Sequence, residues 1–136
     1  MAYFALIQLT EHRLHASTDA KQAAWFSLDD LPTLAFDHKH ILNVAHERLR
    51  AKVRYQPVGF ELLPRKFTLR QLQSLYEIVL GRTLDKRNFR KKILGMKILV
   101  ELDEIETDVS HRAARLYRFD RSSYRRITKQ GFNFEL

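Results

Sequence analysis

The spacing of apolar residues changes along the chain, and each change predicts an element. Tyr3-Phe4-Ala5-Leu6-Ile7 is a short strand-forming run, and Ala24-Trp25-Phe26 predicts a second strand. A polar stretch from Thr10 to Gln22 connects them. Two strands cannot bury their faces alone, so this opening reads as the end of a sheet whose other strands are missing. Further on the period becomes helical. Ile41, Leu42, Ala45 and Leu49 share one face, and Asp37 is placed to cap the start. Arg48, Arg50 and Lys52 crowd the last turn, where cations suit the carbonyl end of the helix dipole. Arg54-Tyr55-Gln56-Pro57 then breaks the pattern and sets a domain boundary between residues 1–54 and 55–136.

Beyond the boundary, Val58 to Leu63 predicts one or two helical turns ended by Pro64, and Lys66-Phe67 a minimal strand. Thr68-Leu69-Arg70-Gln71 has the spacing of a capping box, in which hydroxyl and side-chain amide satisfy free backbone N–H groups. The helix it opens turns Leu69, Leu72, Leu75, Tyr76, Val79 and Leu80 to one side, and Gly81 stops it in the left-handed role. After the tight turn Arg82-Thr83-Leu84, Asp85 caps a second helix from Lys86 to Leu94 that stops at Gly95. Ile98, Val100 and Leu102 alternate with Leu99, Glu101 and Asp103 as a strand. Residues 106–112 are loop-like, and Ala114 to Phe119 return as the partner strand. Helix, short strand, helix, turn, helix and hairpin form an α+β winged helix-turn-helix in its usual order.

Composition narrows the chemistry. The 136 residues suit one ordinary domain, or a small one with part of another, and an apolar fraction of 45% supports a packed core. With no cysteine there is no disulfide framework and no thiolate zinc site. No apolar run approaches the roughly 20 residues needed to cross a bilayer, and the start lacks the features of a signal peptide. A soluble, cytoplasmic protein is the expectation. The formal net charge is +8, divided as +2 over residues 1–81 and +6 over residues 82–136. Positive charge gathered at one end suggests a polyanion partner, although a solvated basic surface has the same composition.

The second helix of the pair sharpens that expectation. With Phe89 and Ile93 facing the core, Arg87 and Lys91 point away from it and Asn88 and Arg90 flank them. Long donors on the outer face of such a helix suit the acceptor-lined major groove. Arg87 and Arg90 are placed to fork onto guanine and Asn88 to pair with adenine, while Lys86, Lys91 and Lys92 suit phosphates. His111, Arg112 and Arg115 on the hairpin suit a wing against the backbone, and Thr68 completes the candidate DNA-contact set. Glu104, Glu106 and Asp108 on the same ribbon would repel phosphates, so an edge hairpin merely solvated by its charges fits equally. Arg118, Arg121, Arg125, Arg126 and Lys129 extend a basic tail that Tyr124, Phe132 and Phe134 anchor to the core. His38, His40 and His46 lack the spacing that holds zinc on a helix, and Asp29-Asp30 before Leu31-Pro32 reads as a turn. No metal, no cofactor and no catalytic residue is expected.

Several segments together resemble the Nudix-related transcriptional regulators of NrtR type. They are Leu34-Ala35-Phe36-Asp37-His38, Phe60 to Pro64, Phe67 to Gln73, Asp85 to Lys91 and the strand Leu116-Tyr117-Arg118-Phe119. The resemblance implies an effector domain of Nudix-like α/β fold, whose remnant is residues 1–54, followed by a winged helix in residues 55–136. It further implies a dimeric repressor on a double-stranded DNA operator, controlling NAD-related or sugar-utilisation genes. ADP-ribose or a sugar such as L-arabinose would be the effector of the intact protein, and the recognition helix looks closer to the sugar branch. The Nudix box, with its Gly, paired Glu and Arg-Glu positions, is nowhere in these residues, so the chain looks like a fragment without hydrolase activity. A piece of an ADP-ribose-type Nudix hydrolase and a winged-helix protein-interaction module are the alternatives.

Overall fold

The computed structural model describes Leu14 and residues 22–55, 62–107 and 109–131. The expected strand at Tyr3 to Ile7 lies outside them. At Ala24-Trp25-Phe26 the expectation fails: these residues form no strand and are exposed, Trp25 by 48% and Phe26 by 57%. Among the described residues no neighbouring strand takes their backbone N–H and C=O groups, and strand propensity without a ladder does not hold a strand.

Helix α1 (His38–Tyr55) begins after Phe36, which takes a left-handed φ of 51°, and its first turn closes with Ile41 N–H donating to the Asp37 carbonyl at 3.0 Å. Leu42, Ala45 and Leu49 are half-buried and Val53 is buried, a stripe at helical spacing that points onto the core of the following elements. Ile41, expected on that stripe, is at its exposed edge. Arg50 ties α1 to the next helix: its Nε donates to the Val79 carbonyl at 3.4 Å, and its Nη1 meets Glu47 at 3.2 Å.

Helix α2 (Leu69–Leu80) opens with the capping box complete. Gln71 N–H donates to Thr68 Oγ1 at 3.2 Å, and Thr68 N–H donates to Gln71 Oε1 at 2.8 Å. Leu69, Leu72, Tyr76 and Val79 are buried, with Leu75 and Leu80 half-buried beside them. Gly81 ends the helix at φ 65°, and its N–H donates to the Glu77 carbonyl at 2.9 Å. Helix α3 (Lys86–Gly95) is capped by Asp85, whose Oδ1 accepts the Asn88 N–H at 2.8 Å. Gly95 ends α3, as expected. It is the last helical residue, and the left-handed position falls to Lys97 at φ 54°.

Strands β1 (Leu99–Ile105) and β2 (Arg115–Phe119) form an antiparallel hairpin, with Leu99 opposite Phe119 and Glu101 opposite Tyr117. The pairing slips between Glu101 and Ile105, which meets Arg115. The minimal strand expected at Lys66-Phe67 is a single bridge: Phe67 and Tyr117 exchange both backbone hydrogen bonds, at 2.9 and 2.7 Å. Helix α4 (Arg121–Lys129) follows where a basic tail was expected. Phe67, Leu72, Phe89, Ile93 and Ile98 fill the centre of the core. The Phe67 and Phe119 rings lie 4.7 Å apart, and those of Tyr76 and Phe89 5.7 Å apart. Val53 of α1 belongs to the same core, so α1 packs on the winged helix.

Candidate nucleic-acid interface

Two devices fix the angle between α2 and α3. The caps decide where each helix starts, and the intervening turn is held by Glu77. The Glu77 carboxylate accepts the Leu84 N–H at 2.8 Å and the Gln73 amide at 3.0 Å, and Gln73 also donates to the Leu84 carbonyl at 3.0 Å. The Leu84 N–H, with help from Gln73, holds the Glu77 carboxyl below its ordinary value. An anion in the last turn of a helix runs against the dipole. That misplaced charge is the sequence signal that Glu77 has a partner elsewhere, and the reading of the sequence passed over it.

Helix α3 buries Phe89 and Ile93 and exposes Lys86, Arg87, Asn88, Lys91 and Lys92. No carboxylate lies on it, its cap Asp85 apart. Arg90 departs from this exposed set. It is half-buried, and its Nε is enclosed with no hydrogen-bond partner. The two buried residues centre the core-facing direction between them, and at about 100° per residue Arg90 lies roughly 80° from that direction while Asn88 lies roughly 120° away. Asn88 and Arg90, expected to flank the outer face alike, are therefore not equivalent: Arg90 lies nearer the core.

Thr68 is a correction to the expected contact set. It is 1% exposed, and its hydroxyl is committed to the capping box, so the side chain has no reach beyond the surface.

Arg87 is exposed and lines neither of the two grooves beside α3, between which the remaining expected contact residues divide. One, of about 560 Å³, runs between α3 and the turn, with Asn88, Lys91 and Lys92 on its helix side and Arg82 and Leu84 opposite. The other, of about 460 Å³, runs between α3 and the hairpin and gathers Lys86, Arg90, His111, Arg112 and Arg115. Arg70 joins this second set and was missed by the sequence reading. Its signal was a cation in the first turn of α2, exposed between buried Leu69 and Leu72, the mirror image of the Glu77 anomaly.

Three of the hairpin's acidic residues are turned to internal use. Glu104 receives Lys66 Nζ at 2.6 Å, Glu101 receives Arg115 at 2.6 Å and the Tyr117 hydroxyl at 3.3 Å, and Glu106 accepts the Ala114 N–H at 3.2 Å. Burial, then the Glu101 carboxylate, pushes the Tyr117 hydroxyl above its ordinary pKa. Asp108 lies outside the described residues. His111 and Arg112 are exposed, and His111 Nδ1 sits 3.1 Å from the Arg112 carbonyl.

Tyr124 is half-buried on α4, and Ile127 packs against the core, while Phe132 and Phe134 lie outside the described residues. Among the described residues no group of His, Asp and Glu has metal-holding geometry, and no helix is long and apolar enough to cross a membrane.

Comparison with known proteins agrees with this geometry. The NrtR DNA-binding winged helix domain matches residues 59–119. The ADPR responsive transcriptional repressor NtrR of Acinetobacter baylyi is 36% identical over 124 residues, covering 90% of this chain and 49% of that protein. The crystal structure of Shewanella oneidensis NrtR with a 27mer DNA superposes with a TM-score of 0.59 at 29% identity, over 75% of this chain and 43% of that one. A second crystal structure of Shewanella oneidensis NrtR gives 0.55 at 32% identity, over 68% and 41%. The chain spans about half the length of the relatives it matches. Residues 59–119 thus belong to the NrtR DNA-binding winged helix domain family.

Proposed function

We propose that this chain is the DNA-binding part of a transcriptional repressor, with α3 lying in the major groove of duplex DNA. One observation carries the reading: α3, positioned by two caps and an anchored turn, presents a face of exposed cations and one amide with no carboxylate among them. Arg87 and Asn88 read base edges, and Lys86, Lys91 and Lys92 meet phosphates. On the hairpin, His111, Arg112 and Arg115 lie along the backbone. The solved relative bound to a 27mer DNA and the relative described as a repressor support this assignment. Catalysis has no place in it.

Residues 55–136 form the DNA-binding unit in this reading, and residues 1–54 belong to a Nudix-like effector domain that contacts it through α1. Two copies of the whole protein would mirror a two-fold operator. An ADP-ribose effector follows the description of the Acinetobacter relative, and a sugar effector remains the competing assignment for the same domain.

The test is fluorescence anisotropy with a duplex enriched from a random library and with a scrambled duplex. The logarithm of the binding constant should fall linearly with log salt, with a slope of about 0.9 per phosphate contacted. Arg87→Ala or Asn88→Ala should cost about 1–3 kcal/mol on the enriched duplex and far less on the scrambled one. Binding that ignores salt, or equal losses on both duplexes, would overturn the base-reading roles.

A further inference from the structure

The groove between α3 and the hairpin holds charge in an unusual way. Five cations line it, Arg70, Lys86, Arg90, Arg112 and Arg115, against the single carboxylate of Glu106. Glu106 already accepts a backbone N–H, and Arg115 is paired with Glu101. Arg70, Lys86, Arg90 and Arg112 make no ion pair among the described residues. Like charges gathered from three separate elements around one cavity repel one another, and the repulsion is relieved only by an anion placed among them. Arg90 adds a second demand. Its Nε is shut off from water yet bonded to nothing, and a buried donor of a charged group needs an acceptor.

We propose that this groove is a phosphate seat, in which Arg90, with Arg70 and Lys86 beside it, holds one backbone phosphodiester of DNA and does not read a base. The inference rests on the DNA-binding reading above and reassigns Arg90 within it. A base-reading arginine must project from the outermost line of the helix, because the base edges lie at the floor of the major groove. Arg90 instead leans toward the hairpin with its inner nitrogen below the surface, on the flank of α3. The walls of the groove are the two phosphate chains, so a helix lying in it turns its flanks to phosphates. The planar fork of a guanidinium matches two phosphate oxygens at once, and Arg70 approaches the same space from the first turn of α2. A free phosphate offers the same oxygens, so the source of the anion has to be separated by experiment.

Arg90→Gln, Arg70→Gln and the double variant would be compared with the unchanged chain by anisotropy, on the enriched and scrambled duplexes, across a salt series. Thermal unfolding would check that each variant folds, and Arg90→Lys, which keeps the charge and loses the fork, provides a second probe of the same position. Each Gln variant should weaken both duplexes by the same factor, and the log–log salt slope should drop by up to about 0.9. The double variant should lose about that same 0.9 and not twice as much, because one phosphate is released once. Arg90→Lys should restore most of the slope. A duplex series neutralised at single phosphates with methylphosphonate should contain one position that weakens the unchanged chain and leaves Arg90→Gln unaffected.

Inorganic phosphate, followed through the Arg90 Nε–H resonance, should compete only at high concentration. An unaltered slope in the Gln variants overturns the seat, and a selective loss on the enriched duplex returns Arg90 to base reading. Tight inorganic phosphate binding that duplex fails to displace would make the anion a free one and overturn the assignment to DNA. Absence of duplex binding by the unchanged chain at low salt would refute the DNA-binding reading itself, an outcome distinct from the failure of Arg90 alone.

Discussion

Replacing Thr68 by alanine removes two things from the start of α2, and the structure allows them to be weighed separately. The hydroxyl accepts the Gln71 N–H at 3.2 Å, so its loss strands a backbone donor and costs about 1 kcal/mol, the usual loss when a capping Thr becomes Ala. The γ-methyl sits in a side chain that is only 1% exposed, and deleting one buried methyl costs about 0.8 kcal/mol before any cavity effect. Thr68→Ala should therefore lose about 2 kcal/mol. Thr68→Ser deletes only the methyl and Thr68→Val exchanges only the hydroxyl, for a methyl, so each should lose about half of that. Urea denaturation would give the differences from midpoints, provided the slope stays constant. A thermal midpoint near 4–8 °C lower per kcal/mol is the expected parallel for a domain of this size. If Thr68→Val is as stable as the unchanged chain, the capping box contributes nothing and the reasoning is wrong. If Thr68→Ser matches Thr68→Ala, packing alone is at work.

Glycine substitutions at the ends of the two helices should have opposite signs. Gly81→Ala places a Cβ at φ 65° and 2.8 Å from the Arg50 guanidinium, and should cost about 1–2 kcal/mol on denaturation because the left-handed conformation disfavours it. Gly95→Ala meets nothing within 4 Å at the last residue of α3, where φ is not positive, so it should gain about 0.4–1 kcal/mol by restricting the unfolded chain; a loss would show that Gly95 has a role beyond the helix. Glu77→Gln should destabilise the fold at neutral pH, with the gap to the unchanged chain closing in acid. Because the folded carboxyl is held below its ordinary 4.5, its contribution is present above that value and disappears as pH falls through the lower folded one. Denaturation midpoints from pH 7 to 3 would show this, and a gap independent of pH would rule it out. Asp120 accepts both hydroxyls of Ser122 and Ser123 at 2.6 Å, which holds its carboxyl far below the ordinary range. Asp120→Ala should fray α4, read as faster amide exchange at Ser122 and Ser123, and unchanged exchange would refute its capping role.

The parts of this fold legible in the sequence are those decided by neighbours along the chain. Thr68 with Gln71, Asp85 with Asn88, and Gly81 after Leu80 each act within one turn, and the structure has them as their spacing implied. The buried face of α2 also followed, since one helix repeats its own period. What escaped depends on partners far away in sequence. Glu104 reads as a repulsive charge on the wing until Lys66, 38 residues earlier, is seen against it. Arg90 reads as an outward donor until the hairpin residues Arg112 and Arg115 are seen to line the same groove, with its Nε enclosed. Helix α4 was signalled by Asp120 as a cap and by Tyr124 and Ile127 three residues apart. It was passed over because four cations in nine residues dominate the pattern. Ala24-Trp25-Phe26 has the composition of a strand, and composition could not reveal that no partner lies beside it among the described residues.

The bridge between Phe67 and Tyr117 has a consequence for the order of events when the protein is made. Phe67 is fully buried, yet both of its backbone hydrogen bonds go to a residue about fifty positions downstream. A ribosome adding about 5–20 residues per second needs roughly 3–10 s to travel that distance. Throughout that interval α2 and α3 exist without the strand that seals them, and the Phe67 ring waits for its contact with Phe119. Helices form in microseconds, so the pair is assembled long before it is covered. The nascent chain thus carries an open apolar seam for seconds, and the last strand of the wing is the one whose emergence closes it.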